Sequence, residues 1–204
     1  RLGWSHGDQE IFSMEEMIQH FDVVDVNKSA AAFDPKKLLW LNHHYIKSLP
    51  ASEVAEHLRW HMDDQGIDTR NGPALERVVG ALAERCDTLK SLAQASRYFY
   101  EDFDGYDEAA ATKQFNAAAK AALEGVAAEL TKLSQWQAAD IHAALDAVCK
   151  ALELGFGKVA PAFRVAITGS TASPSIDLTA ELIGRERVMA RVHAAIEFMK
   201  AKGL

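Results

Sequence analysis

Residues 155–176 read Gly155-Phe156-Gly157-Lys158-Val159-Ala160-Pro161-Ala162-Phe163-Arg164-Val165-Ala166-Ile167-Thr168-Gly169-Ser170-Thr171-Ala172-Ser173-Pro174-Ser175-Ile176, followed by an amphipathic Arg/Glu helix. An alanine-rich helical pattern precedes this run. Gly155 is placed to stop it, because only a residue tolerant of positive φ ends a helix cheaply. Lys158 and Arg164 follow, and then a polar segment, 168–175, rich in hydroxyls. Pro161 and Pro174 stiffen the stretch. Two readings are open on chemistry alone. One is a surface connection between two helices. The other is a pocket whose small side chains, free backbone donors and nearby cations read single-stranded bases.

Outward from that run the pattern is helical throughout. Alanine is abundant, β-branched runs are scarce, and an all-α fold is expected. Ser13 with Glu16 forms a capping box opening a short helix. Asp34-Pro35 pairs a cap residue with the imino acid that suits a first turn. Leu49-Pro50 breaks the chain, and Ser52 is expected to cap a helix with Val54, Leu58 and Met62 on its inner face, ending at Gly66. Gly72-Pro73 starts the next, with Leu75, Val78, Val79, Leu82 and Cys86 in one stripe. Thr88 caps a helix that runs into Arg97-Tyr98-Phe99-Tyr100, an aromatic cluster better suited to packing helices than to stacking bases. Gly105-Tyr106-Asp107 reads as a linker. Helices are expected over 108–133, over 135–154 with Ser134 as cap, and over 186–200. The second has Trp136, Ile141, Leu145, Val148 and Leu152 inward; the last has Val188, Val192, Ile196 and Met199.

Composition narrows the function. The 204 residues carry a net charge of −7, a poor balance for a protein that coats a polyanion. The charge is uneven, however. From Phe156 to Leu204 seven Lys/Arg face four acids, while the rest has fifteen against twenty-five. Only the tail has the sign that favours RNA, so a local contact is expected and a broad basic surface is not. No apolar run approaches the roughly 20 residues that span a bilayer. Cys86 and Cys149 each fall in a helical pattern and read as reduced thiols of a cytoplasmic protein. His57 and His61, one turn apart, have no third ligand to complete a metal site. Ser5, His6 and Asp8 are too close in sequence to form a triad. No catalytic residue is expected in this chain.

The long run resembles the C-terminal signature of bacterial glutamyl-tRNA synthetases. The resemblance rests on Gly157-Lys158, Pro161, Arg164-Val165-Ala166-Ile167-Thr168-Gly169, Ser173-Pro174-Ser175-Ile176 and Ile183-Gly184-Arg185-Glu186-Arg187, in order and at the family's spacing. It departs at Phe163, where the family has leucine, and at Arg185, where it has lysine. Ser173 and Ile176 stand where the family often has threonine and leucine. Arg85-Cys86-Asp87-Thr88-Leu89 with Tyr98-Phe99-Tyr100, and Asn27 to Asp34 with Trp40-Leu41-Asn42, are similar to earlier family stretches. So is Arg1-Leu2-Gly3-Trp4-Ser5-His6-Gly7-Asp8, which in the family follows the lysine-rich loop that holds ATP phosphates. Arg1 therefore reads as an interior residue of a longer enzyme whose catalytic half lies outside this sequence.

The resemblance implies a stem-contact remnant over 1–48 and two helical anticodon-binding subdomains over 49–105 and 106–204. It implies tRNA(Glu) as partner, with no membrane, in a parent enzyme that is a cytoplasmic monomer. That parent ligates glutamate to tRNA with ATP and magnesium held in the catalytic half; this part alone needs no cofactor and should be inactive. By the family pattern, Arg164 contacts the first anticodon base. Ser173 and Pro174 contact the middle base, with Ile176 as apolar wall. Arg85 reads the last base and bears on the choice between glutamate and glutamine tRNAs. Lys28 and Lys158 are candidates for the tRNA backbone, although a solvated surface role suits Lys28 better. A helical protein-interaction scaffold without RNA is the competing reading.

Overall fold

Capping chemistry places the helix starts wherever a short polar side chain reaches back to an orphan amide. Ser13 and Glu16 make both bonds of a capping box at α1 (Met14–His20). Asp34 Oδ1 accepts from the amides of Lys36 and Lys37 at the start of α2 (Pro35–Ser48). Thr88 and Ser91 box the start of α5 (Leu89–Ser96) in the same way. The other elements are α3 (Ala51–Asp64), α4 (Leu75–Leu82), α6 (Glu108–Gln114), α7 (Ala117–Thr131), α8 (Ala138–Ala151), α9 (Phe156–Thr168), α10 (Ile176–Ile183) and α11 (Arg185–Ala201). Single 3-10 turns cover Val23–Asp25, Thr69–Asn71, Ala83–Arg85 and Arg97–Phe99. These features come from a computed structural model that describes residues 3–28 and 32–204. Among the described residues there is no strand, and the fold is all-α. Arg1, Leu2 and 29–31, part of the sequence resemblance, lie outside them.

The chain divides into two compact units, Arg1–Leu41 and Asn42–Leu204, the division falling within α2. In the first, no described residue is buried. Its order rests on ring contacts, with Trp4 meeting Phe12 and Phe21 at 5.4 and 5.7 Å and His6 stacked on His20 at 4.3 Å.

The second unit holds the core. α3 packs on α4 and α5; α7, α8, α9, α10 and α11 pack on one another. Val54, Leu58, Met62, Leu75, Val78, Val79, Leu82 and Cys86 are buried, as their spacing requires. So are Val188, Val192, Ile196 and Met199 of α11. Leu152 is not; it caps α8 and stays 39% exposed. Cys86 and Cys149 are free and buried. No helix among the described residues is long and apolar enough to cross a membrane.

Several helix ends differ from the sequence expectation, each for a local reason. Residues 108–133 form two helices, because Asn116 Oδ1 accepts from the amide of Ala119 and starts α7 afresh. Ser52 does not cap α3, which begins at Ala51 after Pro50. Nor does Gly72-Pro73 open a helix; α4 begins at Leu75 after Ala74. Gly72 serves close approach instead, since a Cβ there would sit 2.2 Å from the Tyr100 ring, whose hydroxyl donates to the Pro73 carbonyl.

Ser134 does not cap α8 either. The amide of Ala138 donates at 2.6 Å to the Glu181 carboxylate, which also pairs with Arg77.

Gly155 is likewise not the positive-φ stop of α8. That helix ends at Ala151, the left-handed residue is Glu153 (φ 53), and the Leu154 amide bonds back to the Cys149 carbonyl at 2.9 Å. Gly155, at φ −70, instead precedes α9, the helix that carries Arg164.

Candidate nucleic-acid interface

The hydroxyl-rich segment is short because α9 extends through most of residues 155–176. Eight of its thirteen residues are buried, so it is a core helix and not a surface connection. Pro161 removes the amide that would bond the Gly157 carbonyl, but Gly157 is exposed and water can serve that carbonyl. α9 stops at Gly169, which has φ 76 and an amide bonded to the Val165 carbonyl. A Cβ at Gly169 would also lie 3.2 Å from the Phe103 ring. Gly169→Ala is therefore expected to cost about 1–2 kcal/mol of unfolding free energy, read as a lower midpoint in urea.

Beyond Gly169 the chain folds back onto α9. Thr168 Oγ1 donates to the Arg164 carbonyl at 2.8 Å and accepts from the Ser170 amide at 3.3 Å. Arg164 Nε donates to Ser173 Oγ at 2.8 Å, and its Nη2 reaches the Pro174 carbonyl at 3.4 Å. Ser173 Oγ donates in turn to that same carbonyl at 3.0 Å. Nη1 of Arg164 makes no hydrogen bond among the described residues. The fork thus spans the loop with one edge and leaves part of its donor capacity unused.

Arg85 joins this group from far away in sequence. It ends the 3-10 turn after α4, is exposed, and makes no side-chain hydrogen bond among the described residues. Burial, followed by the charge of Arg85, disfavours the protonated form of Arg164. Tyr98 completes the cluster. Burial pushes its phenol up, and the charges of Arg85 and Arg164 oppose that shift.

The sequence-assigned residues therefore fall in four places. Arg85, Arg164, Ser173 and Pro174 are brought together. Ser173 is 8% exposed and Pro174 is buried, and both already engage Arg164. Ile176, the first residue of α10, is only 3% exposed and belongs to the core. Lys158 is exposed in the first turn of α9, six residues before Arg164 and so about 240° around the helix from it. Lys28 is exposed in the first unit. His57 is exposed, and His61 sets its ring edge-on to Trp60 at 4.9 Å.

Sequence reasoning passed over two residues here. Phe99 and Tyr100 are core, as expected of that aromatic cluster, but Tyr98 is half-buried and faces the arginines. Arg191 falls on the inward stripe of α11 beside Val188, Val192 and Ala195, and an arginine at such a position was the available signal. It is 6% exposed. Its Nη1 donates to the Tyr98 and Ile167 carbonyls at 2.9 and 2.6 Å, and its Nη2 to the Glu101 carbonyl at 2.6 Å. Nε and Nη2 also bond Asp102 at 3.1 and 3.0 Å. Arg187 Nη1 holds the Phe99 carbonyl at 2.7 Å. Together these bonds fix the Tyr98 turn against the last turn of α9.

Known proteins share this architecture. A glutamate tRNA ligase from Elizabethkingia meningosepticum, solved in complex with its amino acid, superposes with a TM-score of 0.88 at 27% identity, over 97% of this chain and 39% of that one. The glutamate-tRNA synthetase of Elizabethkingia anophelis gives 0.84 at 29% identity, over 96% of this chain and 38% of that one. The chain thus spans about two fifths of the length of these enzymes. Residues 53–196, which contain Arg85, Tyr98, Arg164 and the 170–175 loop, match the family described as the anticodon binding domain. With the match extending over most of its length, the chain belongs to the anticodon-binding domain family.

Proposed function

We propose that this chain reads the anticodon of tRNA(Glu) as the C-terminal part of a glutamate–tRNA ligase. The observation that carries the reading is the Arg164 fork, bonded to the Ser173–Pro174 loop along one edge and unbonded at Nη1, with the charge of Arg85 near enough to act on it. Two guanidinium groups with unused donors can bind the acceptor edges of unstacked bases bidentately. The Ser173–Pro174 loop already holds the Arg164 fork, so little ordering of that group is needed when a base arrives. Arg164 takes the first anticodon base and Arg85 the last. Ser173 and Pro174 meet the middle base through hydroxyl and main chain when the loop exchanges part of its bonding to Arg164. Ile176 backs this loop from the core. Lys158 and Lys28 offer isolated charges to phosphate.

In the intact enzyme the part outside this chain activates glutamate with ATP and magnesium, and this part positions the tRNA without supplying a reacting group. The parent enzyme acts as a cytoplasmic monomer, and this chain alone does not aminoacylate.

The test is binding of a tRNA(Glu) anticodon stem-loop. Arg164→Ala should weaken it by about 1–3 kcal/mol, and Arg164→Lys should recover little because an ammonium has no planar fork. Affinity of the parent chain should also fall steeply with salt as counterions are released. An Arg164→Ala chain that binds as tightly as the parent removes the site. Salt-independent association with a protein instead of the stem-loop points to a helical scaffold.

A further inference from the structure

The strongest unexplained group in the second unit is the Tyr98 hydroxyl. It is buried and has no hydrogen-bond partner. A buried hydroxyl left without a partner carries a desolvation penalty, and native proteins keep few of them. The neighbouring tyrosine shows the ordinary solution, since Tyr100 donates to the Pro73 carbonyl at 2.9 Å. Nothing of the kind is available to Tyr98, although its position is closely determined. Its ring packs tilted on Phe99 at 4.4 Å. Its carbonyl shares Nη1 of Arg191 with the carbonyl of Ile167, which ties its backbone to the last turn of α9. Arg164 is on the turn before. The 3-10 turn bearing Tyr98 also packs on α10, which starts at Ile176. A ring so fixed, with its polar end unused, is organised for a partner that the protein does not supply.

We infer that Tyr98 is a further specificity-determining residue, whose hydroxyl donates a hydrogen bond to an acceptor atom of the anticodon base taken by Arg85. The inference rests on the anticodon-reading function proposed above. Burial keeps the phenol neutral and therefore a donor, and Arg85, exposed and without a side-chain hydrogen bond among the described residues, is free to swing and admit the base. A guanidinium group and a phenol make a set dominated by donors. The base edge that suits it presents two adjacent acceptors. Cytosine offers N3 with O2, and guanine offers O6 with N7. Uracil places the N3 hydrogen between its two acceptors and satisfies the set less well.

The experiment compares the parent chain with Tyr98→Phe, which keeps the ring and removes only the hydroxyl. Binding is measured to the tRNA(Glu) anticodon stem-loop and to loops substituted one anticodon base at a time. Tyr98→Phe should weaken the unsubstituted loop roughly three- to tenfold. That loss should vanish for loops substituted at one anticodon position and persist for the others. Its Tm should equal or exceed that of the parent, because no protein hydrogen bond is lost. Equal weakening across every loop, or a clear fall in Tm, would assign the hydroxyl a structural role and overturn the inference. Unchanged binding by Tyr98→Phe would overturn it while leaving the anticodon reading intact. A parent chain that binds no stem-loop overturns both.

Discussion

Arg191→Ala is expected to lower the unfolding free energy by about 3–5 kcal/mol, because it leaves the Tyr98, Ile167 and Glu101 carbonyls without their donor. The effect comes less from the ion pair than from those carbonyls. Asp102, the carboxylate partner, is 76% exposed and is resolvated by water once the arginine is gone. The Ile167 carbonyl, whose bond to Arg191 is buried, has no such recourse, and those of Tyr98 and Glu101 are partly buried. Arg191 also lays its guanidinium over the Phe103 ring at 5.0 Å, and alanine cannot replace that cation–π attraction. Urea unfolding followed by far-UV circular dichroism measures the change as a lower midpoint at constant slope. Arg191→Lys should recover only part of the loss, since a single ammonium cannot serve three carbonyls on diverging lines. A decrease below about 1 kcal/mol would mean that water enters and takes the place of the guanidinium.

Phe163→Ala should destabilise by a comparable amount, about 3–5 kcal/mol. Phe163 is among the largest fully buried side chains, at 0% exposure, and its helix packs against α7, α8, α10 and α11. Truncation removes the ring's burial and leaves a cavity that five packed helices cannot close without shifting. Because Arg164 is the next residue on the same helix, stem-loop affinity should fall along with stability. Phe163→Leu tests the departure from the sequence signature. It should cost less than the alanine change, roughly 1–2 kcal/mol, because the surrounding side chains are fitted to a ring. A leucine variant as stable as the parent would show that the pocket adapts readily to either shape.

These two residues differ in how visible they were. Phe163 stood in an apolar run and was readable as core once α9 was known to be helical. Arg191 was equally placed on an apolar stripe, yet its purpose depends on carbonyls 24, 90 and 93 residues earlier in the chain. The same contrast runs through the helix ends. Ser13 with Glu16, Asp34 and Thr88 were legible as caps, because the acceptor and the amides it serves lie within a single turn. The cap of α8 was not, because the carboxylate that satisfies Ala138 belongs to Glu181, on α10.

The candidate site divides along the same line. The signature from Gly157 to Arg187 pointed to Arg164, Ser173 and Pro174, and a local loop indeed joins them within ten residues. Their conjunction with Arg85 and Tyr98 appears only when α4, α5 and α9 are assembled around one core. By itself the sequence determined the helical class, the apolar stripes and the caps that close within a turn, since these follow from side-chain spacing and short-range hydrogen bonds. Only the tertiary structure decided which donors face the same space and which carbonyls depend on Arg191. Those bonds join residues brought together by packing, and sequence spacing carries no information about them.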